Sequence, residues 1–348
     1  MTAAEKSYVG LAKQSAKGTP NTTDADFNYF LFTEGGIGPD NQVLPLDPEV
    51  GGGAMARSVV KTGVLTSGVF SLIPRPTTLG WFLYGLLGND AITGSGPSYT
   101  HALTHETDEF SAPYFSVRSA PGDLWGETFQ DVRVQALTLS WRAADFLRGQ
   151  VAMMGGLPTP NVTKASWAPS TYLDNGPQFI APVSKIEVPD GTSIKCLRGS
   201  FSGGLAIPLE EQWVVGSYSP DDFSINQRTY VFNLVCKVED AVLYNKANYD
   251  PDNGAAWTAE MFQEAYLDIQ FDSDIEADTG VPYSINLNAN AQTAASGDAN
   301  VYWSAQTIGL RAGGQVIVAL TGIFVRGPSG NEPITATLVN TKATAYDA

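Results

Sequence analysis

The chain has little of what chemistry needs. Among its 348 residues there are two cysteines and two histidines. Cys196 and Cys236 fit a reducing compartment and need not pair; Cys236 falls on the apolar face of an expected strand, where a thiol acts as a small buried hydrophobe. His101 and His105 lie in Tyr99-Thr100-His101-Ala102-Leu103-Thr104-His105-Glu106. Thr100, Leu103 and Thr104 disfavour the helix that would bring both rings to one metal, and on a strand the two sit about 13 Å apart on one face. There is no His-Glu-x-x-His, no phosphate-binding loop, no Gly-x-Ser-x-Gly elbow and no Cys-x-x-Cys. Basic charge is also scarce: 20 Lys and Arg stand against 36 Asp and Glu, a net charge of −16. The balance is −5 over residues 1–174 and −11 over 175–348. Tight DNA binding, which replaces phosphate counterions with Lys and Arg, is thereby excluded. No apolar run approaches the roughly 20 residues that span a bilayer. Met1-Thr2-Ala3-Ala4-Glu5-Lys6 leads into polar sequence rather than a signal core. Synthesis in a cytoplasm and no membrane partner are expected, and Asn21-Thr22-Thr23 and Asn161-Val162-Thr163 are chance matches to the glycosylation pattern.

What is present is turn chemistry and alternation. The chain is 43% hydrophobic and 16% charged, with 35 Gly and 21 Pro, the composition of an ordered, turn-rich globular protein. Tyr230, Phe232, Leu234, Cys236 and Val238 form an apolar face at period two. So do Ala265, Leu267, Ile269 and Phe271, and Tyr283, Ile285, Leu287, Ala289 and Ala291, the last opposite a polar row of Ser284, Asn286, Asn288, Asn290 and Gln292. Further strands are expected at Val59–Ile73, Tyr114–Arg118, Val132–Trp141, Leu147–Met154, Leu197–Ile207, Tyr302–Leu310, Gln315–Val325 and Ile334–Val339. Helices are few. Thr77–Leu87 follows Pro76, offers Thr77 and Thr78 as caps and precedes Gly88, although Gly80 and Gly85 weaken it. Glu239–Ala247 is a second helix, and Trp257–Glu264 a third, short one.

A pattern repeats. Strand then helix at Thr66–Leu87 recurs at Thr229–Ala247, and each leads to a hairpin pair, Val132–Met154 and Tyr302–Val325. Between them Gly155-Gly156-Leu157-Pro158-Thr159-Pro160 has linker composition. The length also favours two domains. The expected architecture is mostly β: two tandem β-sandwich domains, 1–160 and 161–348, each with a short flanking α-helix.

The opening segment, Tyr8-Val9-Gly10-Leu11-Ala12-Lys13-Gln14-Ser15-Ala16-Lys17-Gly18-Thr19-Pro20, fits a Gly-x-x-Lys-Gln-x-x-x-Gly-Thr-Pro pattern. It resembles the start of the tail tube (major tail) proteins of long-tailed bacteriophages. The likeness extends to Gly68-Val69-Phe70-Ser71-Leu72 with Gly80-Trp81-Phe82-Leu83, to Val134–Met154 and to Tyr230–Tyr244. The acidic stretches Asp250–Asn253 and Asp272–Asp278 have no counterpart in it.

The resemblance implies a structural virion protein of the phage tail, made in the host cytoplasm, without enzymatic activity or cofactor. Family members with one domain form hexameric rings whose subunits each add four strands to an inner barrel. A doubled chain implies a trimer with pseudo-sixfold symmetry, stacked into a tube through which DNA passes without specific binding. Twenty-four strands about 4.8 Å apart give a bore wall roughly 37 Å across before strand tilt widens it. The implied partners are further copies of the chain and other tail proteins: tape measure, tail terminator and distal tail. Within this frame the row Ser284, Asn286, Asn288 and Asn290 is the expected lumen lining, polar without being cationic. The long segment Gly35–Ala56 is expected to be a loop whose Val43, Leu44, Leu46, Val50 and Met55 dock on the neighbouring ring.

Other classes remain in view. Asp278-Thr279-Gly280 resembles half of an aspartic protease pair, but no second triplet exists, so a turn is expected. Asp272, Asp274, Glu276 and Asp278 could face a calcium ion but lack the Gly and distant Glu of an EF-hand loop; Asp250-Pro251-Asp252-Asn253-Gly254 reads as a turn. No metal site is assigned. The alternatives are another neck or tail component of the same fold, or a carbohydrate-binding β-sandwich adhesin using Trp125, Trp167 or Trp213.

Overall fold

The structure is a computed structural model. It describes all residues except 1–5, 49, 51–54, 107, 109, 165, 188–192, 239–243, 246–247, 250–256, 258–261, 265–266, 290–300, 306–313, 315 and 327–331. Nineteen strands and one α-helix are found among the described residues. In the first half they are β1 Tyr8–Lys13, β2 Asn28–Phe30, β3 Glu34–Pro45, β4 Val59–Leu72, α1 Pro76–Leu87, β5 Gly88–Thr93, β6 Tyr99–His105, β7 Phe115–Ala120, β8 Gly126–Arg142, β9 Arg148–Gly155 and β10 Pro158–Val162. In the second they are β11 Ile180–Glu187, β12 Cys196–Ala206, β13 Gln227–Lys237, β14 Phe262–Glu264, β15 Leu267–Asp278, β16 Val281–Ala289, β17 Val301–Ala305, β18 Ile317–Phe324 and β19 Thr335–Asn340. The chain is mostly β, as the alternation predicts. The expected helix Glu239–Ala247 lies largely outside the described residues, and Phe262–Glu264, expected as helix, is strand β14.

The strands form two sheets. The longer has thirteen strands, and a continuous run through it reads β3-β4-β9-β8-β12-β13-β18-β17, with β14 beside β17 and β7-β1-β2 branching from β8. The other runs β11-β15-β16-β19-β6-β5. Both draw strands from both halves of the chain. Gly155–Pro160 is not a free linker: β9 ends there and β10 pairs with the start of β8. Its glycine serves close approach, since a Cβ on Gly155 would meet Val132 Cγ2 at 2.7 Å, and an edge strand tolerates proline.

One core lies between the sheets and α1 is set into it. Eleven of the twelve α1 residues are buried, so the helix is enclosed rather than flanking, as a helix apolar on all sides must be. The two glycines that weaken it as a helix admit its neighbours. A Cβ on Gly80 would meet the Tyr346 ring at 2.1 Å and one on Gly85 would meet Val134 at 2.5 Å. The N-terminal cap comes from afar: Asp174 Oδ2 accepts from Thr78 N and from Thr78 Oγ1, both at 2.7 Å. Pro76 occupies the first turn, and Gly88, left-handed at φ 105°, ends the helix. Away from α1 the sheets touch directly, with the Trp141 and Phe271 rings 5.1 Å apart.

The C-terminal segment closes this core. His101 is fully buried, with Nδ1 2.8 Å from Asp90 Oδ2 and Nε2 donating to the Lys342 carbonyl at 3.0 Å. Asp90 Oδ2 also accepts from Tyr346 N at 2.8 Å, and the Tyr346 hydroxyl donates to Thr77 O at 3.1 Å. Lys342 lies over the Trp81 and Tyr346 rings, and burial pushes its amine down to about 8 although Asp90 and Asp347 favour its charge.

Two outcomes follow from this packing. Gly80→Ala, which would stabilise an open helix by up to about 1 kcal/mol, should here cost about 1–3 kcal/mol in urea unfolding through overpacking against Tyr346. Because folding lowers the Lys342 pKa, the unfolded chain binds more protons between about 8 and the ordinary lysine value of about 10.4. Stability relative to a Lys342→Met variant should therefore rise with pH across that window, as measured by urea unfolding at several pH values.

Candidate functional site

The opening motif is an anchor. Gly10 on β1 lets the Tyr29 ring lie where a Cβ would be, at 2.6 Å. Lys13 Nζ donates to the Asp347 carbonyl. The buried Gln14 amide spans Ser116 Oγ and Asp131. Gly18, at φ 72°, donates its N–H to Asp131 Oδ1 at 2.7 Å. The spacing that marks the sequence thus ties the first strand to β7, β8 and the C-terminus.

The segment Gly35–Ala56 is not a structureless loop. It is strand through Pro45 and forms a long hairpin with β4, from Glu34↔Ser71 to Pro45↔Val59. Its glycines and prolines read as breakers but suit an edge strand. Gly35, at φ 121°, has Val69 O where its Cβ would be, at 2.0 Å. β4 pairs with β9 only over Thr66–Leu72, so residues 59–65 of β4 and the facing part of β3 extend past the sheet as an arm, on the order of 20 Å at the usual strand rise. The arm's base is braced by the segment between β12 and β13: Val64 N donates to Tyr218 O at 2.7 Å, and Trp213 packs against Gly63. Beyond that the arm shows apolar side chains to solvent. Val43 is 60% exposed, Leu44 62%, Val59 65% and Met55 84%. Leu46 and Val50 are exposed as well. A two-stranded hairpin is marginal by itself in water, and this one adds the cost of open apolar surface.

Each sheet also has an open face. On β16, Ser284, Asn286 and Asn288 point away from the core while Ile285, Leu287 and Ala289 point into it; Asn290 lies outside the described residues. Asp272, Gln270 and Asp268 of β15 stand opposite them, and Asn286 donates to Asp268. The open face of the long sheet carries hydroxyls and amides, Thr138 with Ser202 at 3.3 Å, Thr321 donating to Asn233 at 3.0 Å, and Ser67, Ser200 and Gln150 nearby, interleaved with exposed Val69 and Ile323.

The enzyme-like motifs fall elsewhere. His101 and His105 share the inward face of strand β6 and are buried. His105 Nε2 lies 2.9 Å from the Tyr230 hydroxyl and Nδ1 2.6 Å from Glu332. Asp278-Thr279-Gly280 is the turn between β15 and β16, with Gly280 at φ 74° and Thr279 N donating to Asp278 at 2.7 Å. Asp250–Gly254 lies outside the described residues. Among the described residues no three metal-ligating side chains cluster, and no helix is long and apolar enough to cross a membrane. Trp125 is exposed, whereas Trp167 is buried beside Tyr8 and Arg118 and Trp213 braces the arm, so the three form no common platform.

A search of curated proteins returns no match. A family model described as phage tail tube protein matches residues 4–312, from before the opening strand to beyond β17. On that match, with the mostly β fold around it, the chain belongs to the phage tail tube protein family: it is a structural protein of the virion tail.

Proposed function

We propose that the chain is the repeating unit of a hollow tail tube, that three copies close a ring, and that stacked rings conduct DNA. The observation that supports this best is the repeated strand order in the long sheet. The first half supplies β3-β4-β9-β8 and the second β12-β13-β18-β17. In each, a hairpin is followed by a second hairpin whose later strand pairs with the first. The two units, residues 1–160 and 161–348, meet edge to edge at β8 and β12 over seven paired positions. Repeating that joint brings β17 of one copy to β3 of the next. Eight strands per chain then give twenty-four in a trimer with pseudo-sixfold symmetry.

This reading assigns the bore wall to the open face of the long sheet. The Ser284, Asn286 and Asn288 face, on a sheet whose strand order does not repeat between the halves, lies on the outside of the tube. The β3–β4 arm, with Val43, Leu44, Leu46, Val50 and Met55, reaches the neighbouring ring and buries its apolar side chains there. DNA passes without sequence-specific contacts, the tube's ends meet other tail proteins, and the chain performs no catalysis. Without a shared tryptophan platform, nothing in the geometry favours a glycan-binding module.

Matching the eight-residue strands β9 and β18 end to end makes Ser304 the counterpart of Ala136 and Asp40 the counterpart of Gly204. Ala136 pairs with Gly204, so Ser304 should face Asp40 of the next copy. A double variant Asp40→Cys, Ser304→Cys, oxidised after assembly, should give cross-linked species ending at a trimer on a non-reducing gel; monomers alone would reject the joint. Val43→Ser, Leu44→Ser and Val60→Ser together should change stability by no more than about 0.5 kcal/mol per site, yet leave rings that do not elongate under negative-stain microscopy. Tubes of ordinary length would remove the arm from the stacking contact.

A further inference from the structure

The long sheet's open face has a charge pattern that the chain as a whole conceals. The sequence holds 36 Asp and Glu, yet β4, β9, β12, β13, β17 and β18 contain none, nor do residues 133–142 of β8. Cations, by contrast, gather at one end of the face. Arg148 begins β9, Arg142 ends β8, Arg198 lies near the start of β12 and Lys237 ends β13, on four adjacent strands.

Two of them confront each other. Arg142 and Arg198 are direct cross-strand partners. Ala143 N donates to Leu197 O at 2.9 Å, which makes 143/197 a hydrogen-bonded pair and 142/198 the closer, non-bonded kind, with side chains starting about 4.5–5.5 Å apart. Like charges so placed destabilise a sheet. Both arginines are exposed. Among the described residues the nearby carboxylate is Asp145, which Arg148 holds at 3.0 Å; Arg148 and the Phe146 N–H keep it below the usual carboxylate range, with a lesser contribution from Arg142. Guanidinium groups present paired donors matched to phosphate oxygens.

We propose that Arg142 and Arg198, flanked by Arg148 and Lys237, form a phosphate-contact site for the backbone of duplex DNA at one end of the open sheet face. This rests on the reading of that face as the bore wall. Each ring then holds DNA at one level, through three such sites, while the face beyond them is largely uncharged, with Glu34 and Asp40 at its β3 edge. Contact is to the backbone and carries no sequence preference.

The test uses the full-length protein and a short fluorescent duplex at low salt, read by anisotropy. The unaltered chain should bind, with affinity falling as salt rises. Arg142→Ser with Arg198→Ser should weaken binding about tenfold or more and lower the salt slope by about two, whereas Arg142→Lys with Arg198→Lys should retain most of the affinity. The serine variant should melt no lower than the unaltered protein, because a like-charge pair has been removed. Equal affinity of the serine variant, or no binding by the unaltered chain, would overturn the site. So would unchanged DNA affinity together with lost tubes, which would give the arginines to a carboxylate surface of a second copy. If the unaltered chain forms no hollow rings but loses DNA affinity on substitution, the tube reading fails and the phosphate site stands.

Discussion

The structure is organised by a helix that has no polar side to show to water. α1 is apolar nearly all round, and such a helix is stable only when covered on every side. Neither sheet can do this alone, so the two must close over it. Gly80 and Gly85 allow the closure by letting Tyr346 and Val134 approach the helix axis, and Asp174, ninety-six residues from Thr78, completes the first turn. Burying this one element therefore requires groups from the first half, the second half and the C-terminal segment to be in place together. The halves repeat in pattern but share a core.

That demand determines which surfaces remain for assembly. Each sheet turns one face inward to the helix, or to the other sheet where the helix ends, and each keeps one face open. The apolar side chains of the β3–β4 arm beyond Val64 and Leu65 stay in solvent, because the arm begins where pairing with β9 stops. Exposed apolar surface on an extended hairpin is a liability for a monomer. Under the proposed tube assembly, the same surface is an interface held open until a partner arrives.

Much of this was legible in the sequence where one physical signal acted alone. Strands with one wet and one buried face, such as β13 and β16, show their period of two. α1 shows its proline start, its apolar run and its glycine stop. In the opening motif, Gly10, Lys13, Gln14 and Gly18 each make a specific backbone or side-chain contact. Legibility failed where two requirements met in one residue. Gly35, Gly38 and Pro39 look like loop composition, but they belong to an edge strand that must lie close to β4 and needs no inward donor. Gly155 and Pro158 look like a linker for the same reason. Thr77 and Thr78 looked like caps, whereas the capping carboxylate is Asp174, which no local pattern could supply. On β16 the alternation shows a half-buried strand face. The sequence could not reveal that another sheet carries the repeated strand order, since that depends on distant pairings such as Val231 with Ile323.

Fusing two repeats in one chain has a consequence for the proposed ring. Of its six edge-to-edge joints, three are β8–β12 contacts already formed within each chain, and only three must form by association. Bringing separate bodies together costs about 4–15 kcal/mol in lost translational and rotational freedom, so the doubled chain avoids that cost at half the joints. It also frees the two repeats from being identical. The connection between β3 and β4 is the projecting arm. Its counterpart, between β12 and β13, carries Trp213 and Tyr218 and packs against the base of that same arm. In a ring of six identical subunits every connection would have to play both parts. Here one repeat reaches outward and the other holds it steady, and a marginal two-stranded hairpin obtains within its own chain the support that it needs before a neighbouring ring is present.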